Sequence, residues 1–158
     1  MKRDSPSICI KDIQTLARDK GKMMSVTFEQ RRRDGSWQQS TREVYDNGNS
    51  AVVLPYDANR NTVLMTRQFR LPIYLQDGIE RPLEACAGKL DGERAERRII
   101  KEIEEELGYR IEKVDRLFEL YVSPASVMEI ITFFAARIRR RTRCPRAAAW
   151  QMRAKTSK

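Results

Sequence analysis

Histidine is absent from all 158 residues, which removes histidine-based catalysis and any Cys/His zinc site. Cysteine is scarce: Cys9, Cys86 and Cys144 are an odd number without metal-type spacing, so neither a disulfide framework nor structural zinc is expected. Long apolar runs are missing too, with no stretch of about 18 residues to cross a bilayer. The opening "MKRDSPSICIKDIQTLARDKGK" is too polar for the apolar centre of a secretory signal. These absences predict a cytoplasmic protein with no membrane role. Acid is lacking in one region only. Residues 137–158 hold nine Lys or Arg and no Asp or Glu, which accounts for the whole net charge of +9 and leaves residues 1–136 neutral. Nucleic-acid binding through this tail would show steep salt dependence, but a neutral body and a tail without a recognisable module argue against it.

What is present is a folding chain, 41% hydrophobic and long enough for one domain with a core. Residues 22–45 read as a hairpin about the Asp34-Gly35 turn, with Val26 and Phe28 alternating on one side. "AVVLPYD" and "TVLMTRQFR" read as strands joined by "ANRN". "LPIYLQDGIERPLEACAG", with two prolines and two glycines, reads as loop with a short strand near "PLEACA". From Glu93 to Leu107, Ile99, Ile100, Ile103 and Leu107 recur at three- and four-residue spacing, predicting one amphipathic helix closed by Gly108 as a left-handed cap. "RIEKVDRLFELYVSP" and "VMEIITFFAAR" supply two more strands, which makes a mixed α/β domain. Tyr45, Phe69, Phe118 and Phe133 are expected in the core, and Cys86 is expected as a small buried filler.

"KEIEEELG", residues 101–108, crowds four glutamates at the end of that helix. Glu102 and Glu106 share a face, with Glu105 beside them. Like charges at this spacing oppose each other, and the C-terminal end of a helix prefers cations. A hard divalent cation held by oxygen ligands relieves both problems, and carboxylates are what magnesium selects. On "EIEEE" alone, solvation of an outer face is the better explanation, since glutamate-rich surface helices are common. The small, glycine-bearing turn "EACAGKLDGE" before the same helix favours the cation, because it leaves backbone accessible beside the carboxylates.

"AGKLDGERAERRIIKEIEEELGY" resembles the Nudix box, the signature of hydrolases that cleave a nucleoside diphosphate linked to another group. Gly88 opens the box; Lys101-Glu102, Ile103, Glu105-Glu106, Gly108 and Tyr109 close it. It departs from the family pattern by being one residue shorter, by having Arg94 where the first glutamate is expected with Glu93 just before it, and by lysine in place of arginine at 101. The shortening is similar to the GDP-mannose pyrophosphatase branch, close to the ADP-ribose pyrophosphatases. "REVYDNGN", "TRQFR", "LEACAG" and "RLFELYVSPASVMEIITFF" resemble that branch in the same order, across roughly residues 22–136.

The resemblance implies a Nudix-type α/β/α sandwich with a mixed sheet. It also implies a magnesium-dependent enzyme that splits GDP-mannose into GMP and mannose 1-phosphate, with ADP-ribose as the alternative substrate. The Ala87 carbonyl, Glu102 and Glu106 would bind magnesium, with Glu105 in or next to the metal shell and these three glutamates catalytic. Arg42, Glu43, Arg70 and Glu129 match substrate-contacting positions, and Gly88 lies against the phosphates. Residues 1–47 would form N-terminal strands suited to a homodimer, 48–136 the hydrolase core and 137–158 an atypical basic tail. "SPAS" stands where the family has "SPGG". After "ITFFAAR" the resemblance stops abruptly, which predicts a shifted reading frame or otherwise altered end, a sandwich incomplete at its C-terminal side, and the loss of a loop whose carboxylate serves the metal site. An inactive nucleotide-binding remnant is therefore the competing expectation. No residue specifies guanine over adenine, or one sugar over another.

Overall fold

The computed structural model describes residues 5–138; of the basic tail it includes Arg137 and Ile138, and residues 139–158, with the expected altered end, lie outside it. The described residues fall into two compact units, 5–49 with 121–130, and 50–120 with 131–138.

In the first unit, strands β1 (Ile8–Arg18), β2 (Lys22–Arg31) and β3 (Trp37–Asp46) form an antiparallel meander. The expected hairpin is β2–β3, paired from Lys22 with Asp46 to Arg31 with Trp37. Its turn is held by Asp34, whose Oδ1 accepts from the Ser36 amide at 2.9 Å and the Ser36 hydroxyl at 2.6 Å, while Gly35 supplies a φ of +85°. Strand β1 was not legible: register shifts between Ile10 and Asp12 and between Thr15 and Ala17 break the two-residue alternation that identifies a strand. Beyond β3, the Tyr45 amide donates to the Ser126 carbonyl and the Met128 amide to the Tyr45 carbonyl, both at 2.8 Å.

The second unit is built on β4 (Ser50–Asp57), which pairs in parallel with β10 (Ile130–Arg137). Along its other edge β4 pairs antiparallel with β8 (Cys86–Lys89) at Ser50–Val53 and with β5 (Thr62–Val63) at Tyr56–Asp57. Pro55 falls between those two partners, where a missing amide hydrogen costs no ladder bond on that edge. Strand β9 (Asp115–Tyr121) lies beside β10, and β6 (Thr66–Arg67) pairs with β7 (Leu83–Glu84). The mixed sheet and α/β class are as expected.

Helix α2 (Ala95–Glu102) packs on β4 and β8. Ile99 and Ile103 are fully buried among Ala51, Val53, Cys86 and Phe134, and each such side chain contributes about 1.5–3 kcal/mol of burial. No helix among the described residues covers the alternate residues of the sheet as fully, and Leu54, Phe118 and Leu120 stay 39%, 49% and 52% exposed.

Three expectations are corrected. The "LPIYLQD" stretch is a helix, α1 (Leu71–Asp77), because Pro72 sits in the first turn, where its missing amide hydrogen is harmless, and Gly78 closes it at φ +69°. The single helix to Leu107 is α-helical only to Glu102; Ile103–Leu107 is a π-helical turn capped by Gly108. Phe69 and Phe118 are not core: Phe69, 57% exposed, packs on Tyr74 at a centroid distance of 5.8 Å, and Phe118 lies on a strand exposed throughout, 4.9 Å from the Phe133 ring. No helix among the described residues is long and apolar enough to cross a membrane.

Candidate functional site

Glu102 ends α2 with only 6% of its surface exposed. Strand β8 runs against it so closely that a Cβ on Gly88 would stand 2.6 Å from the Glu102 Cδ. Only glycine permits that approach. One turn earlier, Arg98 donates from Nη2 to Glu102 Oε1, while the Arg98 Nε is buried without a partner. Burial pushes the Glu102 carboxyl above its ordinary range; Arg98 opposes the shift, and Glu106 and Glu105 add to it.

Glu106, in the π-helical turn, accepts at Oε1 from Gln68 Nε2 at 2.8 Å, and its Oε2 is buried with no hydrogen-bond partner. The widened turn keeps Ile103 and Leu107 in the core while Glu106 meets Gln68. Cys86 is fully buried, as expected of a filler. Burial, with Glu106 and Glu102 close by, pushes its thiol far above the ordinary range, so it stays neutral. Glu105 is exposed, and Glu104 pairs with Arg110 at 3.2 Å.

Two of the departures of the box from its pattern meet in one ion pair. Lys101 Nζ reaches Glu93 Oε1 at 2.6 Å and holds that carboxyl below its ordinary range. The displaced glutamate and the substituted lysine thus make an ion pair across the loop, and Arg94 becomes the N-cap residue of α2.

Among the described residues no three His, Cys, Asp or Glu side chains are gathered into a metal cluster. The set implied by the resemblance needs two carboxylates and the main-chain carbonyl of Ala87, which lies on β8 opposite Val52. An unpartnered buried carboxylate oxygen on Glu106, a second buried carboxylate on Glu102, and the Gly88 backbone against it fit a hard divalent cation.

Of the other expected residues, Arg70 belongs to the second unit and donates through Nε to both oxygens of Glu84, at 2.9 and 3.0 Å. Arg42, Glu43 and Glu129 belong to the first unit. Arg42 is exposed and donates to the Thr41 carbonyl at 3.0 Å; Glu43 is exposed opposite Ser25; Glu129 accepts from Asn47 at 3.1 Å. The structure thus brings Gly88, Glu102 and Glu106 together with Cys86. Two residues that hold the carboxylates were not anticipated. Arg98 carries a signal, its position four residues before Glu102 on one helix face. Gln68 carries none, since its partner is remote in sequence.

A family profile described as "GDP-mannose pyrophosphatase NudK N-terminal domain" matches residues 7–45. Over 133 residues the chain is 42% identical to a GDP-mannose pyrophosphatase of Yersinia pestis, covering 82% of this chain and 67% of that one. The chain belongs to the GDP-mannose pyrophosphatase family of Nudix hydrolases. A GDP-mannose pyrophosphatase of Yersinia enterocolitica is 43% identical over 135 residues, covering 82% and 70% of the two chains. Another from Salmonella paratyphi B is 44% identical over 117 residues, covering 72% and 60%. The chain therefore spans roughly two thirds of the length of these family members. The fold is also that of a crystal structure titled "ADP compounds hydrolase", with a TM-score of 0.66 at 18% identity, covering 86% of this chain and 70% of that one.

Proposed function

We propose that this chain hydrolyses the diphosphate bond of a nucleoside diphosphate sugar, GDP-mannose foremost, with magnesium as its cation. The observation that carries this is the unpartnered buried oxygen of Glu106 beside the buried Glu102, in a chain of this family. Ala87 through its carbonyl, Glu102 and Glu106 would hold the cation. When bound, it would polarise a phosphoryl oxygen and lower the pKa of a water.

The chain's own residues supply the rest of the reaction. Gly88 is retained against the phosphates on the strength of the resemblance, and its missing Cβ makes room for the Glu102 carboxylate. Arg70 engages Glu84 through Nε, so its Nη groups are assigned to phosphate oxygens. Glu105, the exposed carboxylate of the π-helical turn, is assigned to accept the proton of the attacking water. Water then adds to phosphorus, the bridging oxygen leaves, and the products are GMP and mannose 1-phosphate. Arg42, Glu43 and Glu129 are retained as substrate contacts on the strength of the resemblance. A homodimer through the N-terminal strands and a cytoplasmic site of action belong to the same proposal; the exposed Ile13, Leu16, Met23 and Trp37 of β1–β3 support the dimer.

The test is product formation from GDP-mannose and ADP-ribose by purified protein, with and without magnesium, beside Glu106→Gln. Magnesium-dependent release of GMP that is lost in the variant supports the proposal. Release from ADP-ribose alone would reassign the substrate. A folded protein that binds nucleotide without turnover would make it a binding remnant.

A further inference from the structure

We infer that Arg98 is the internal counter-ion of Glu102, a positioning residue that competes with a divalent cation for this carboxylate and thereby sets the cation affinity of the site. The inference rests on the cation-binding reading above and goes beyond it, because it concerns a residue outside the expected ligand set.

Three observations carry it. Arg98 and Glu102 are four residues apart on α2, so their side chains meet on one face, and Arg98 Nη2 donates to Glu102 Oε1. The guanidinium is drawn into a half-buried position, 27% exposed, although its Nε is left there without a partner. A side chain with five donors, one of them buried and unused, is held by charge and not by a fitted set of hydrogen bonds. Finally, Glu102 is buried, with Glu105 and Glu106 in the helical turn that follows it, and Arg98 is the base in contact with it. Lys101, the next basic residue on the helix, is taken by Glu93.

A carboxylate so placed needs positive charge, and Arg98 or a divalent cation can supply it. With Arg98 in contact, an arriving cation meets a guanidinium charge and an oxygen already in use. Cation binding therefore requires Arg98 to withdraw toward solvent, which its partial exposure allows. Removing the guanidinium should tighten cation binding, the opposite of what loss of a merely structural residue would do. A cation must displace this charge-assisted contact, and removing the competitor is expected to tighten binding about tenfold.

The experiment measures Mn2+ binding to the full chain without nucleotide, by the electron paramagnetic resonance of free Mn2+, with circular dichroism checking the fold. Arg98→Met is expected to bind Mn2+ about tenfold more tightly than the wild type, and Arg98→Lys, which keeps the charge, to stay near it. Arg98→Gln is a second neutral variant with the same expected direction, should the methionine variant fail to fold. A folded neutral variant that binds Mn2+ no more tightly than a binding-competent wild type overturns the inference and leaves the proposed function standing. If neither the wild type nor the neutral variants bind Mn2+, the cation reading falls and the inference falls with it.

Discussion

The two halves of the segment from Glu93 to Leu107 handle negative charge in opposite ways. Around the α-helical half, acid is neutralised by base within the chain: Glu93 by Lys101, and Glu102 by Arg98. In the π-helical half, Glu104 finds Arg110, but Glu106 meets the neutral Gln68 amide and the neutral Cys86 thiol and keeps one buried oxygen without a hydrogen-bond partner, and Glu105 faces solvent. The first half is electrostatically finished and the second is not. Buried polar groups are almost always satisfied, so the buried Glu106 oxygen without a hydrogen-bond partner marks where a charge from outside belongs.

That contrast can be attacked from its strongest point downward. Glu106→Gln removes the unfinished charge while keeping the shape; GMP release from GDP-mannose should fall by about 10²–10³-fold, the scale of deleting one transition-state electrostatic contact. Stopped-time assays measure it, and a variant within threefold of wild type would end the case for Glu106. Gly88→Ala forces a Cβ onto the Glu102 carboxylate. The expected loss is about 1–3 kcal/mol in urea unfolding, together with activity. Unchanged stability would mean that β8 does not press on Glu102 as closely as described. Gln68→Leu removes the amide that Glu106 Oε1 accepts from and should destabilise the metal-free protein by about 1 kcal/mol. Magnesium should restore most of that, a recovery that thermal melts with and without the ion would reveal.

The smallest effect belongs to the finished half. Glu93 titrates below its ordinary range, so its contribution is fully present above the unfolded value and is lost as pH falls through the folded one. In Lys101→Met that window should close as the Glu93 value returns to normal in an NMR titration, with melting temperature near neutral pH unchanged within error because the pair is exposed.

Much of this architecture was readable locally. The β2–β3 hairpin follows from alternation and the Asp34-Gly35 turn, the core stripe of α2 from the spacing of Ile99, Ile103 and Leu107, and the carboxylate cluster from "EIEEE" with the glycine loop before it. What escaped was set by tertiary context or hidden by local irregularity. Bulges concealed β1, and Pro72 and Gly78 read as loop signals although they open and close α1. The π-helical turn depends on how Ile103 and Leu107 seat in the core, information absent from a helical period. Gln68 reaches Glu106 from the loop after β6, a contact that no spacing rule describes.

The parallel pairing of β4 with β10 has a consequence for how this protein comes into being. Ser50 and Ile131, in register, come from near opposite ends of the described part of the second unit. During synthesis α2 and its glutamates leave the ribosome well before β10 exists, so Phe134 and Ala136 cannot yet cover Ile99 and Ile103. Closing so long a loop slows folding and leaves apolar surface open meanwhile. For a time, then, the nascent chain presents a finished hairpin sheet and an uncovered α2. That interval is when chaperones would recognise it and when over-expression would aggregate it.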